Sequence, residues 1–207
     1  MPLHRSRRLV LKEYDCAERF AAMADEAAWR FVSVLPAEPS NGIPVRASWQ
    51  ITTAHFVTLF RDSERRLAYT AALSTLGQEA AARFLYHSIA SLELAGLETW
   101  TDEELINAVS AASDPGEHAS AVIRAGLGAP ATIAEPWVAA FFTAARHPAE
   151  EVRAAGIQAI MHADWPMFAE LLHAMAKEDL SRRIRKQAKR NALVLQARAT
   201  TVESRRE

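Results

Sequence analysis

The sequence predicts an all-α protein, and three observations carry that expectation. Alanine makes up roughly a fifth of the 207 residues, and it is the residue that gives up least on entering a helix. Alternating runs of valine and isoleucine, the mark of a half-buried strand, are nearly absent. A helical pattern also recurs. "ASAVIRAGLG" from Ala119, "VRAAGIQAIM" from Val152 and "IRKQAKRNAL" from Ile184 follow one another at offsets of 33 and 32 residues. Each has an apolar first position and small or apolar residues at the fifth and usually the eighth and ninth, so one stripe stays apolar. Asn191, at an eighth position, is the exception.

From the N-terminus, "RRLVLKEY" (7–14) reads equally as an arm or a short strand. A helix is expected over 15–35, with Phe20, Met23, Ala24, Ala27, Phe31 and Leu35 on one face and "DCAE" (15–18) at capping-box spacing. The prolines, asparagine and glycine of "PAEPSNGIP" (36–44) make a loop. It divides an N-terminal arm, helix and loop (1–47) from a helical array (48–207). Helices in that array are expected near 49–60, 63–76, 78–95, 102–112, 117–127, 136–146, 149–162, 165–177 and 181–199. Gly77, Gly96 and Gly128 supply stops, as does Pro115, which cannot continue a helix. Thr101 with Glu104, Asp164 and Ser181 supply starts.

A repeat of this length with two helices per unit is what a stacked array needs, because one helix pair cannot bury its apolar face alone. The segment "HPAEEVRAAGIQAI" (147–160) resembles the HEAT repeat family in its acidic turn, valine-arginine pair and small residues. "DLSRRIRKQAKRNA" (179–192) follows it, with Ile184 and Arg185 in the places of Val152 and Arg153. "SDPGEHASAVIRAGLG" is a weaker copy, since Ser120 replaces the arginine, and "DSERRLAYTAALSTLG" (62–77) is shifted by a residue. The resemblance covers 110–207 and, loosely, 48–100. It implies a short α-solenoid of helical hairpins with a helical N-terminal cap. It also implies that Arg153 and Arg185 support turns, by bonding an acidic or carbonyl group of the neighbouring repeat.

Formal net charge is −1, unevenly spread. Residues 1–12 carry +4 and residues 177–207 carry +6, whereas 13–176 holds 10 basic against 21 acidic residues, or −11. The single cysteine, Cys16, permits no intrachain disulfide and no cysteine metal cluster. The longest apolar run, "WVAAFFTAA" (137–145), is far short of the roughly 20 residues a spanning helix requires. The basic start is followed by too few apolar residues for a signal peptide. These features lead to the expectation of a soluble, cytoplasmic protein with no membrane partner.

Catalytic and metal constellations are weakly represented. Glu170 and His173 have the spacing of half a di-iron site, but the chain has no second Glu-x-x-His. His147, His162 and Asp164 fall near consecutive turns of one edge, where helix-end roles explain them. "GLGAP" (126–130) lacks the lysine and hydroxyl of a phosphate loop, and there is no Gly-x-Ser-x-Gly elbow. Cys16 reads as packing. No catalytic residue, cofactor or metal is assigned.

The functional expectation is therefore a non-catalytic repeat module, of adaptor, regulator or inhibitor type: a short curved array whose inner surface holds another protein, the acidic middle suiting a basic partner. Candidate contact residues are Trp137, Trp165, Asp164, Arg153 and Arg185, with the basic series Arg182, Arg183, Lys186, Lys189 and Arg190 of the final helix. Tryptophan and arginine concentrate binding energy, whereas the basic final helix reads first as the C-terminal cap, because a terminal repeat needs a wet outer face, and second as a ligand contact. The alternative is nucleic-acid binding through the basic termini. Similarity to HEAT-like DNA glycosylases for alkylated bases implies Trp165 as a cation-recognising aromatic, Asp164 as a carboxylate and Arg185 as a phosphate contact. The acidic body departs from the extended basic surface of those proteins.

Overall fold

The computed structural model describes residues 4–38 and 42–203. Residues 39–41 of the expected loop, and Arg205 and Arg206 of the basic tail, lie outside the described residues. The chain divides into two units, Met1–Thr101 and Asp102–Glu207.

In the first unit the expected helix over 15–35 is short. Helix α1 (Ala17–Glu26) stops where Ala28 takes a left-handed conformation, with φ 56°, and the Trp29 N–H turns back onto Ala24 O at 2.8 Å. The chain leaves as a strand because "RFVSVL" sets β-branched and aromatic residues on a pleated backbone that suits them. Among the described residues five strands form: β1 (His4–Leu11), β2 (Arg30–Leu35), β3 (Val45–Gln50), β4 (His55–Asp62) and β5 (Leu67–Ser74), followed by helix α2 (Gln78–Leu94). They make one antiparallel sheet in the order β1-β5-β4-β3-β2.

This sheet corrects the all-α expectation, and with it the α-solenoid for the chain as a whole: the protein is mixed α/β. The segments 49–60 and 63–76, expected to be helices, carry β4 and β5. The cause is burial. Seven of the eight residues of β5, "LAYTAALS", are buried, so both faces select small or apolar side chains and no alternation survives to mark a strand. Residues Ala47 and Ser48, at the expected boundary, pair with Leu59 and Thr58 inside the β3–β4 ladder.

One face of the sheet forms the core with both helices. Trp49, Val57 and Ala72 are cross-strand neighbours and join Phe20, Met23 and Ala24 of α1 and Leu85 and Leu92 of α2 in one buried cluster. Phe20 sits 5.1 Å from the Trp49 ring and 6.4 Å from Trp29. Each large side chain sheltered here contributes about 1.5–3 kcal/mol. The segment after α2 returns to β1, with Lys12 N–H donating to Glu98 O and Trp100 N–H to Val10 O.

The second unit is helical: α3 (Asp102–Ala111), α4 (Pro115–Gly128), α5 (Glu135–Ala145), α6 (Glu150–Ala163), a 3-10 turn (Pro166–Phe168), α7 (Ala169–Glu178) and α8 (Arg182–Glu203). Pro115 begins α4 and does not end a helix: it occupies the first turn, where its missing N–H costs nothing, behind Asp114, whose Oδ1 accepts from Gly116 N and Glu117 N. The helices pair as α3–α4, α5–α6 and α7–α8, and α6 lies between α4 and α8. Val152 and Ile184 are fully buried at the same place in α6 and α8, whereas Ala119 in α4 is half-buried. The eighth positions meet directly: a Cβ on Gly126 would lie 2.3 Å from Ala159 Cα. Among the described residues, no helix is long and apolar enough to cross a membrane.

Candidate functional site

The turns of the second unit are held by arginine. In the α5–α6 turn, Arg153 Nη1 donates to His147 O (2.9 Å) and Pro148 O (2.7 Å). In the α7–α8 turn, Arg185 Nη1 donates to Asp179 O (2.6 Å) and Leu180 O (3.1 Å). Both arginines therefore close the carbonyls six and five residues upstream, the groups that a helix end leaves open. Arg153 also crosses to the next hairpin, where Nε and Nη2 grip Asp179 at 2.7 and 3.0 Å. Burial pushes the Asp179 carboxyl up, but the Arg153 bonds and the Ser181 N–H (2.8 Å) outweigh it and hold the group below its ordinary value. Sequence reasoning singled out the two arginines and overlooked Asp179, although its place in "DLSRRIR" matches His147 in "HPAEEVR".

Trp137 and Trp165 are buried. Their indole N–H groups donate to Ala125 O and Pro130 O, each at 3.2 Å, and Trp165 stacks at 6.1 Å on Phe168. Asp164 ends α6 in a left-handed conformation and accepts from Arg198 Nη1 at 2.7 Å. It is a C-terminal residue of its helix and does not cap the one that follows. Arg183 Nε donates to Glu150 Oε1 at 2.6 Å. Hydrogen bonds from Ser181 and Arg183 lower the Glu150 carboxyl below its ordinary value. The structure thus commits six of the sequence-derived candidates to bonds within the unit.

The remaining four gather on α8. Ile184, Ala188, Ala192 and Leu195 turn one stripe of that helix inward and are fully buried. Arg182, Lys186, Lys189 and Arg190 fall on the opposite side and are exposed, and among the described residues none of them forms an ion pair. Leu193, 57% exposed, continues the same face one turn on. The result is a helix side with fixed positive charge leading to an apolar residue.

No family model, curated protein or solved structure matches this chain.

A second feature, invisible in the sequence, is an open cleft of about 420 Å³ between the α5–α6 and α7–α8 hairpins, lined by Arg146, His147, Leu171, Met175 and Leu180 beside the Arg153–Asp179 pair. Its central charges neutralise each other. Among the described residues, no group of three His, Cys, Asp or Glu side chains could hold a metal ion. Cys16, at the start of α1, is fully buried, and burial pushes its thiol pKa up, away from nucleophilic character.

Proposed function

We propose that the Asp102–Glu207 unit is a HEAT-like helical-repeat module that binds another protein without catalysing a reaction on it, and that the outer face of α8 is the contact surface. The observation that carries this reading is the contrast on α8. A fully buried stripe locks the helix into the unit, and four exposed cations, without ion pairs among the described residues, run along its other side up to Leu193. Charges held on a rigid helix steer a partner and fix its register, and an apolar residue beside them supplies area to bury. The partner that suits this face is a protein with an acidic surface.

The nucleic-acid alternative draws on the same cations. Weighing against its glycosylase form, Trp165 has its face and its N–H in use inside the unit and Asp164 is paired with Arg198. The test compares the wild-type chain with the triple variant Lys186→Glu, Lys189→Glu, Arg190→Glu. The binding-module reading expects an acidic protein to co-purify with wild type at about 0.15 M salt and not with the variant. Tight binding of a labelled DNA duplex, falling about a thousandfold or more between roughly 50 and 200 mM salt, would replace it with the nucleic-acid reading.

A further inference from the structure

Around the start of α1 in the first unit, cationic side chains find acidic partners. Arg19 donates to Glu13, Arg65 Nη1 to Asp62 Oδ2 at 2.7 Å, and Arg66 Nη2 to Asp15 Oδ2 at 3.0 Å. Arg61 is the exception among the described residues. Its guanidinium forms no hydrogen bond or ion pair and lies 5.8 Å from the centroid of the Tyr14 ring. The nearby carboxylates are already taken.

Arg61 opens onto a groove of about 340 Å³ between α1 and the sheet, at the small end of the ~300–1,000 Å³ typical of ligand pockets. The floor is Ala47, Leu59 and Trp49, and the outer wall is Phe31 and Val34 of β2. The sequence keeps this space open. Helix α1 turns Phe20 and Met23 into the core and leaves Ala17 and Ala21, one turn apart, facing the groove. Opposite them β3 offers Val45 and Ala47, too short to reach across. Phe31 and Val34 stay 54% and 56% exposed beside it, and Phe31 meets Trp49 edge-on at 5.9 Å, forming an aromatic corner. Asp25, two turns beyond Ala17 and so about 12 Å along the helix, stands at the far end as an exposed carboxylate.

We propose that this groove binds a small monocarboxylate with an apolar body. The carboxylate pairs with Arg61, the body lies over Ala47 and Leu59 against Trp49 and Phe31, and Asp25 repels a second anionic group at the far end. Bidentate pairing with a guanidinium is the strong form of carboxylate recognition. An apolar body covers surface that the fold leaves wet. This site is independent of the α8 face.

The experiment is calorimetric titration of the full chain with decanoate, decan-1-ol and decanedioate. Decanoate binds with one-to-one stoichiometry and more tightly than decanedioate. Arg61→Gln weakens decanoate about tenfold or more while changing decan-1-ol by about twofold or less. Ala21→Phe, which fills the groove, abolishes binding of both. Val34→Glu, at an exposed wall position that folding tolerates, weakens decanoate even if Ala21→Phe fails to fold. The proposal is overturned if wild type does not take up decanoate at millimolar concentration, if Arg61→Gln leaves its affinity unchanged, or if Val34→Glu binds it like wild type.

Discussion

The Arg153 guanidinium holds Asp179 through two bonds, Nε to Oδ2 at 2.7 Å and Nη2 to Oδ1 at 3.0 Å, across the junction between the α5–α6 and α7–α8 hairpins. The pair is largely buried, with 12% of the arginine side chain and 6% of the aspartate exposed. Removing Asp179 strands a charge and also frees the Ser181 N–H. Asp179→Ala is expected to cost about 2–3 kcal/mol in chemical denaturation. In a double-mutant cycle with Arg153→Ala, the two losses fall short of additive. Additive losses would mean that the pair contributes nothing as a pair. The pH dependence has a definite sign. The folded pKa of Asp179 is depressed, so its stabilisation is present above the unfolded value of about 3.9 and is lost as pH falls below that through the folded value.

The contact of Gly126 with Ala159 leaves no room for a methyl group. A Cβ there would lie 2.3 Å from backbone, whereas one on Gly156 would meet its nearest atom, Ala145 N, at 3.0 Å. Gly126→Ala is therefore expected to destabilise the chain by about 2 kcal/mol or more through displacement of α4 from α6, and Gly156→Ala by less. Thermal unfolding of the two variants orders them, and the reverse order would contradict this packing.

Two histidines meet where the first and second hairpins of this unit join. The rings of His118 and His147 lie 5.0 Å apart, edge to face, and the buried His118 Nε2 has no hydrogen-bond partner among the described residues. Burial first, and the charge of His147 second, lower the His118 pKa. A histidine with a depressed folded pKa costs nothing while both states are neutral. Below the unfolded value of about 6.5 the unfolded chain takes up the proton first, so stability declines as pH falls and levels off below the folded pKa. Denaturation midpoints of wild type and His118→Gln between about pH 7.5 and 5.5 should diverge in slope, with the variant less sensitive to acid.

Cys16 reports on the first unit. Its sulfur is fully buried beneath Phe20 and its neighbours, and burial raises its pKa. Iodoacetamide should leave it unmodified in native conditions and label it only as that unit unfolds. Rapid native labelling would show that the α1–sheet core opens readily.

The two units were unequally legible in the sequence. In the second, amphipathic helices with one apolar stripe declare themselves by period. One junction carries a residue whose local chemical logic is legible, Ser181 ahead of Arg182, whereas Pro115 reads as a stop although it opens α4 behind Asp114. In the first, β5 hides its period because nearly every residue is buried. Phe31 and Leu35 continue the helical spacing of Phe20 and Met23 by coincidence, and Val32 and Val34 were the signal that outweighed it. The candidate site divides similarly. A reader of the sequence sees the cations of α8 and, through the repeat resemblance, a turn role for Arg153 and Arg185, but only coordinates reveal that Arg183 is held by Glu150 while, among the described residues, Arg182, Lys186, Lys189 and Arg190 have no such partner.

The most direct measurement is site-specific photo-crosslinking in the protein's native cells, with p-benzoylphenylalanine in place of Leu193. The α8 face is expected to yield an adduct to a protein bearing an acidic segment. That adduct should disappear when Lys186, Lys189 and Arg190 are replaced by glutamate, and should be absent when the probe stands at Leu76, an exposed position of the first unit. Adducts to nucleic acid, or protein adducts indifferent to those three substitutions, would contradict α8 as the docking face for an acidic protein.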